Sequence, residues 1–273
     1  MSLLRKTTKL LSVLSLSAAF GTGLSAHEFW IDPVTFNLPT SAPLVADIRV
    51  GQNFEGAAYS YFPKRFKRFE VITENIRQPV LGRLGDRPAL NQPAAATGLN
   101  IIAHVTDNQS LVYHEWAKFK AFAEHKNFTG AIAEHQRRGL PKTGFKERYS
   151  RYAKSLIAVG DGAGSDHKLG LLTEIVAEAN PYTDDLSTGL PMRVYYRGQP
   201  RANAQVELFA KASDGHVTIS LHFTDETGLV RLPVKAGWRY LADAVVLRAL
   251  DPATAKGAVW ESLWASLTFA IPE

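Results

Sequence analysis

The chain alternates apolar and polar positions over much of the stretch that follows residue 26. In one run, bounded by Pro and Gly, every second residue is apolar: Leu44, Ala46, Ile48 and Val50. A period of two is the pattern of a β-strand that buries one face. Similar runs follow at residues 69–72 and 99–105. We therefore predict mostly β-structure from residue 27 to about residue 108.

The period changes in the middle of the chain. Apolar residues recur there at intervals of three and four, which is one face of an amphipathic helix: Trp116, Phe119, Phe122 and Ala123. Thr129 is a suitable cap for a second short helix. The spacing of Phe145, Tyr149, Tyr152 and Leu156 predicts a third helical segment that passes into a strand at residues 155–159. We place the whole helical insertion at about residues 113–154.

Strand patterns return after a cluster of turn residues at 180–189. Short apolar runs separated by turns follow at the spacing of a β-sandwich: residues 192–196, 206–209, 217–223, 229–232, 240–247 and 262–269. We therefore predict a mainly β protein with two sandwiches. The N-terminal sandwich covers residues 27–182 and contains the helical insertion, and the C-terminal sandwich covers residues 183–273.

Residues 1–26 have the order of a secretory signal peptide. Three cations precede an uncharged apolar run at residues 10–20, and small residues ending at Ala26 follow. The apolar run is shorter than the roughly 20 residues that span a bilayer as a helix. We expect cleavage after Ala26 and a periplasmic protein that does not span the membrane.

Charge and cysteine content exclude several classes of site. The net charge is +5, and removal of residues 1–26, with three cations and no acid, lowers it to +2. A strongly basic surface for nucleic acid is therefore not expected. The chain has no cysteine, which excludes disulfides, thiolate metal sites and cysteine nucleophiles.

Motifs spread over nearly the whole chain after residue 26 resemble those of a known family: His27-Glu-Phe-Trp30, Arg49-Val-Gly-Gln-Asn-Phe54, Glu147-Arg-Tyr-Ser-Arg-Tyr-Ala-Lys154, Thr224-Asp-Glu-Thr-Gly228, Gly237-Trp-Arg-Tyr-Leu241 and Trp260-Glu-Ser-Leu-Trp-Ala-Ser-Leu-Thr-Phe269. The family is the exported bacterial domain of unknown function 4198, whose members were formerly labelled nickel-uptake components. The resemblance implies a periplasmic protein linked to transition-metal uptake. Its implied partners are metal-uptake or outer-membrane transport components.

The C-terminal part is also similar to the prealbumin-like sandwiches that accompany carboxypeptidases and surface proteins. The similarity lies in a pattern of Gly, Pro and Asp turns: Gly198-Gln-Pro200, Ala204-Gln-Val206, Asp225 to Gly228 and Gly237 to Leu241. Such modules bind or space rather than catalyse. The expected fold is therefore two immunoglobulin/prealbumin-like β-sandwich domains with a helical insertion between them.

His27 is the first candidate for chemistry. Cleavage after Ala26 would place its imidazole beside a free α-amino group, and these two nitrogens can chelate one Cu(II) or Ni(II) ion. The site needs a further ligand, for which His104, His114, Glu28 and Asp32 are candidates. The alternative is that His27 only begins the first strand. We predict a metal site at His27, His104 and His114.

A second candidate is a dense run of rings and cations: Tyr59, Tyr61, Phe62, Lys64, Arg65, Phe66, Lys67, Arg68 and Phe69. Interleaved rings and cations stack sugars or contact anionic surfaces. The alternative is a loop that enters a strand, with long side chains covering the rings.

Motif searches favour binding over catalysis. The chain contains no Gly-x-Ser-x-Gly and no His-Glu-x-x-His motif. We expect a non-enzymatic periplasmic protein that binds a transition-metal ion or a metal complex and assists its uptake. Two alternatives remain open: a cell-envelope or carbohydrate interaction module without metal, and a copper oxidoreductase that uses a mature N-terminal histidine.

Overall fold

The computed structural model describes residues 27–273, and in this part the chain is mainly β. The predicted signal peptide lies outside the described residues. The strands of the first half are β1 (Glu28–Pro33), β2 (Asn37–Leu38), β3 (Pro43–Gln52), β4 (Glu55–Tyr59), β5 (Phe66–Ile72), β6 (Arg77–Pro79), β7 (Leu90–Pro93), β8 (Gly98–Thr106), β9 (Gln109–Tyr113) and β10 (Phe145–Val159).

The strands of the second half are β11 (Thr173–Ala177), β12 (Leu190–Tyr196), β13 (Gln199–Pro200), β14 (Gln205–Lys211), β15 (Val217–Phe223), β16 (Leu229–Leu232), β17 (Arg239–Ala249) and β18 (Ala258–Ala270). Two α-helices lie between β9 and β10, α1 (Trp116–His125) and α2 (Ala131–Arg137), and a 3₁₀ turn at Pro63–Arg65 precedes β5. In residues 27–273, no helix is long and apolar enough to cross a membrane.

One long sheet organises the described residues. Its ten strands include the path β15-β14-β17-β18-β10-β8-β5-β6, and β2 and β9 also pair with β10. A small sheet of β1, β3, β4 and β7 and another of β11, β12, β13 and β16 complete the fold. The chain is therefore mainly β, with small sheets packed against a shared long sheet.

The two small sheets pack on opposite faces of the long sheet. Alternate residues of β8 show this, because Ile102 packs with Ile31 of β1, whereas Ile101 packs with Met192 of β12. Successive side chains of a strand point to opposite faces. The helices lie on the same face as β1, where Phe119 packs against Trp260 and Trp264 of β18.

The two halves of the long sheet meet at a parallel pair of strands, β10 and β18. Their register runs from Lys146 opposite Ala258 to Ser155 opposite Thr268. Pairing also crosses the predicted boundary at residue 183, because β11 precedes that residue and pairs with β12. Strand pairing thus joins the sequence-distant parts of the chain into one body.

The third predicted helical segment is wrong. Residues 145–159 form β10, the longest strand of the described residues. Both faces of β10 are covered from Tyr152 onward, by β1 and its sheet on one side and by β11 and its sheet on the other. The rings lie on both faces of the strand, because Phe145 packs with the helices and Tyr152 packs on the opposite face, so their spacing of three and four matched a helix by coincidence. The prediction of α1 from Trp116, Phe119 and Phe122 is confirmed.

Candidate functional site

A cavity of about 300 Å³ opens where the ends of β1, β9, β10 and β18 meet. We call it the histidine cavity because His27 and His114 both line it, with Leu111, Val112, Tyr113, Glu115, Lys118, Glu147, Tyr149, Arg151, Ser262 and Trp264. His27 directly precedes β1, and His114 directly follows β9. The fold thus brings together two histidines that are far apart in the chain.

Backbone contacts fix the segments that carry both histidines. The guanidinium of Arg151 donates a hydrogen bond to the carbonyl oxygen of His27. The hydroxyl of Thr143 donates to the carbonyl oxygen of His114 at 3.0 Å. The His27 side chain is half-buried and the His114 side chain is exposed, so solvent reaches the cavity.

A buried carboxyl group lies at the base of the histidine cavity. Glu147 is only 2% exposed and accepts hydrogen bonds from the hydroxyls of Tyr113, at 2.9 Å, and Ser262. The Ser262 hydroxyl in turn accepts from the indole N–H of Trp264 at 2.9 Å. Burial raises the pKa of Glu147 to about 7, although both hydrogen bonds and the charge of Arg151 lower it in part.

Arg151 separates the histidine cavity from a second cavity. Its guanidinium lies 5.0 Å from the Trp264 ring centroid, 5.3 Å from that of Tyr149 and 5.9 Å from that of Phe29. Burial lowers the pKa of Arg151 from its ordinary value. An arginine nevertheless remains charged at neutral pH, so Arg151 contributes a fixed positive charge at this boundary.

The second cavity, about 380 Å³, lies between β1, β3 and β4 on one side and β8 to β10 on the other. We call it the aromatic cavity. Its lining comprises Phe29, Ile48, Val50, Tyr59, Ser60, Phe62, Arg65, Phe66, His104, Thr106, Gln109, Tyr149 and Arg151. Part of the run of rings and cations noted in the sequence therefore lines this cavity, while Tyr61 and Phe69 are core residues.

The three predicted metal ligands fall in two places. His27 and His114 share the histidine cavity, whereas His104 lies in the aromatic cavity with its ring 5.0–5.3 Å from those of Phe29, Phe66 and Phe69. Among residues 27–273, no group of three or more His, Asp and Glu side chains is arranged to hold a metal ion. A three-ligand site at the histidine cavity would need a donor other than these side chains.

Sequence reasoning missed a buried charge cluster below β1. The ammonium of Lys126 donates hydrogen bonds to Glu207 and, at 2.9 Å, to Asp243, and it lies 3.8 Å from Glu28. All four residues are at most 5% exposed. They come from four separate elements, so no local spacing could have indicated this cluster.

Comparisons with known proteins identify a family but no activity. The profile of the family described as "Domain of unknown function (DUF4198)" matches residues 24–248. No curated protein matches the chain. One solved structure, a tetra-tandem repeat in the extending region of a large adhesion protein, is 11% identical over 89% of this chain, with a TM-score of 0.19. The chain spans about half of that structure, 49%.

Proposed function

This chain belongs to the DUF4198 family, and we propose that it is a non-enzymatic protein that binds one Cu(II) or Ni(II) ion at the histidine cavity. The observation that supports this function is the presence of His27 and His114 in the lining of one cavity. Imidazole nitrogen is a ligand that suits both ions. The metal ion is the cargo of the protein rather than a catalyst.

The α-amino group of His27 is the proposed third ligand. Removal of residues 1–26 would create it beside the His27 imidazole, and the His114 imidazole would complete a set of three nitrogens. This ligand set fits the described residues, whose side chains alone provide no group of three. Metal binding therefore depends on processing, because the uncleaved chain has an amide at this position.

Export is part of the same proposal. The protein would act in the periplasm after cleavage at Ala26, as the order of residues 1–26 indicates. Mass spectrometry of protein recovered from the periplasm should give a chain that begins at His27. Recovery of only full-length chain would remove both the compartment and the amino ligand.

Titration of metal-free mature protein with Cu(II) or Ni(II) tests the site. We expect one ion per chain, and we expect His27→Ala and His114→Ala each to weaken binding at least tenfold, which is about 1.4 kcal/mol. Mature protein whose α-amino group is acetylated should bind as weakly, because acetylation removes the amine donor but keeps the imidazole. Binding should also weaken as the pH falls, because protons compete with the metal ion for the three nitrogen ligands.

His216→Ala is the matched control, because His216 is exposed and lies outside the histidine cavity. This variant should bind as the wild type does. Equal binding by every variant, or binding no tighter than about 1 mM by the wild type, would contradict the proposed metal site.

A copper oxidoreductase is the second candidate, and the His27 and His114 pair is also the observation that favours it. The two functions differ in turnover. Copper-loaded wild-type protein that consumes O₂ with ascorbate faster than both the His27→Ala variant and free copper would favour the oxidoreductase. If the wild type consumes O₂ no faster than the His27→Ala variant or free copper does, a binding protein is favoured.

A further inference from the structure

The aromatic cavity has the composition of a site for a small organic molecule. Its volume of about 380 Å³ falls within the range of roughly 300–1,000 Å³ found for ligand pockets. Rings provide much of its wall, from β1 (Phe29), the segment before β5 (Phe62) and β10 (Tyr149). A planar apolar ligand could stack on these rings and displace water from them with little loss of hydrogen bonding.

The charge of the lining has one sign. Arg65 and Arg151 belong to it, and no aspartate or glutamate among the described residues does. The Arg65 guanidinium lies 5.2 Å from the Phe62 ring centroid. Within residues 27–273, Arg151 directs hydrogen bonds only from Nη1 of its guanidinium, to His27, and guanidinium has five N–H donors. Two arginines with donors available favour an anion, above all a carboxylate.

A buried histidine with an unpartnered nitrogen belongs to the wall of the same cavity. His104 is 4% exposed, and its Nδ1 has no hydrogen-bond partner among the described residues. A buried unsatisfied polar group costs about 1–3 kcal/mol, and a ligand can supply the missing partner. Burial lowers the pKa of His104 to about 3, so the imidazole is neutral and offers one donor and one acceptor.

We propose that the aromatic cavity binds a small planar organic anion, of the aromatic carboxylate class, in a site that needs no metal ion. The rings of the lining contact its planar body, Arg65 and Arg151 attract its carboxylate, and His104 hydrogen-bonds a polar atom of the ligand. A neutral sugar would leave the Arg65 guanidinium without a counter-charge in the lining, and a cation would meet two like charges.

Calorimetry with 2-naphthoate as the probe tests this site, with metal-free protein in the presence of EDTA. We expect 2-naphthoate to bind with a micromolar Kd. Its neutral isostere 2-naphthamide should bind at least tenfold more weakly, and glucose should not bind. Because no metal is present, the result does not depend on the histidine cavity, and either site can fail while the other stands.

Variants of the lining identify the residues. Arg65→Ala should weaken the binding of 2-naphthoate at least tenfold and the binding of 2-naphthamide much less. Arg65 is exposed, so the substitution should not affect the fold. Lys64→Ala removes an exposed neighbouring cation that is outside the lining and should have no effect. His104→Phe should weaken binding while the melting temperature is maintained, because the ring remains and the unpartnered nitrogen is removed.

A ¹⁵N spectrum of the imidazoles locates the ligand. The His104 resonances should shift on addition of 2-naphthoate, and those of His216 should not. Equal affinity for 2-naphthoate and 2-naphthamide, unchanged binding by Arg65→Ala, or no binding below about 1 mM would each overturn the proposal.

Discussion

Glu28 has a carboxyl group that the fold makes difficult to ionise. It is 5% exposed, and its Oε2 has no hydrogen-bond partner among the described residues. Burial raises its pKa from about 4.5 to about 7, and the nearby carboxylate of Asp243 adds to this effect. Lys126 acts in the opposite direction but does not cancel it. The other charged groups that face Glu28 are Glu207 and Arg151.

This raised pKa makes stability depend on pH. The folded state retains a proton on Glu28 that the unfolded chain releases, so the stabilising effect of this group is complete below pH 4.5 and is lost as the pH rises to about 7. We expect Glu28→Gln to raise the free energy of unfolding at pH 8 by about 1–3 kcal/mol. Urea denaturation at pH 5, 6, 7 and 8, with EDTA present, measures this difference.

Glu226→Gln is the control for Glu28→Gln, because Glu226 is exposed. It should leave the dependence of stability on pH unchanged. If Glu28→Gln is as stable as the wild type at pH 5 but less stable at pH 8, the ionised carboxylate stabilises the fold and our interpretation is wrong.

Residues of the candidate sites could be predicted from the sequence where a nearby cleavage site or a local motif indicated them. The predicted cleavage at Ala26 indicated His27 as a metal ligand. The density of rings and cations indicated Arg65 and Phe66 as residues of a binding surface. Nothing local distinguishes Lys126 from Lys118 and Lys120 of α1, because its partners Glu207 and Asp243 are 81 and 117 positions away. Such pairs exist only after the strands have paired.

At the scale of elements, the C-terminal end of α1 is tied to three strands through Lys126. This residue caps α1 and contacts carboxylates of β1, β14 and β17. Burial acts to lower its pKa, but the three carboxylates, led by Asp243, raise it above its ordinary value. Lys126 is therefore charged, and its charge compensates carboxylates that solvent does not reach.

Removal of this charge should destabilise the fold strongly. We expect Lys126→Met to lower the free energy of unfolding at pH 7.5 by about 3–5 kcal/mol, the range for removal of one partner from a buried ion pair. The loss should be smaller at pH 5, where the Glu28 carboxyl, whose pKa burial raises to about 7, is protonated and needs no counter-charge. Denaturant midpoints at the two pH values measure both quantities.

Lys120→Met provides the comparison within the same helix. The Lys120 side chain is 54% exposed and pairs with Glu124 one turn later. An exposed pair of this kind contributes about 0.3–0.5 kcal/mol. A Lys126→Met variant that loses no more than Lys120→Met would show that the buried cluster does not stabilise the fold.

Elements were predictable where one face is buried and the other is solvated. The helix α1 and the strand β3 have this character, and their periods indicated them correctly. The pattern of β10 did not, because its aromatic residues Phe145 and Tyr152 lie on opposite faces of the strand. In β15 the alternation is real, but Ile219, Leu221 and Phe223 are 45–53% exposed, and none of them belongs to a core cluster of the described residues.

At the scale of the whole molecule, the shared sheet couples the two sandwiches. The parallel pairing of β10 and β18 joins them, and the buried ammonium of Lys154 on β10 adds a second tie on the other face. It donates to Asp166 at 2.6 Å and to the carbonyl oxygen of Ile175 in β11 at 3.1 Å. Both cores contain residues of β8 and β10, so we expect neither core to persist when the other unfolds.

We therefore expect one cooperative unfolding transition for residues 27–273. Amides of β5 and of β14, on opposite sides of the β10–β18 pair, should exchange with solvent with the same free energy of opening under native conditions. Circular dichroism and tryptophan fluorescence should give coincident denaturation curves. A separate early transition of either half would contradict this coupling.

Two sandwiches with a helical insertion could be inferred from strand patterns and family motifs, but the shared sheet could not. Its central pair joins Arg148 and Glu261, which are 113 positions apart and also form a salt bridge at 2.6 Å. Parallel pairing leaves no turn in the sequence to mark it. The positions of both cavities depend on this pairing, because β10 contributes Tyr149 and Arg151 to each.

The place of β18 in chain order has a consequence for how the molecule is made. Synthesis proceeds from the N-terminus, so β10 and β17 are complete before the strand that lies between them, Ala258–Ala270. Until then, each presents an unpaired edge to which other chains can add. Contacts between residues so distant in the chain also form slowly. The central sheet therefore closes as a late step of folding, and a nascent chain must be protected from aggregation until β18 has emerged.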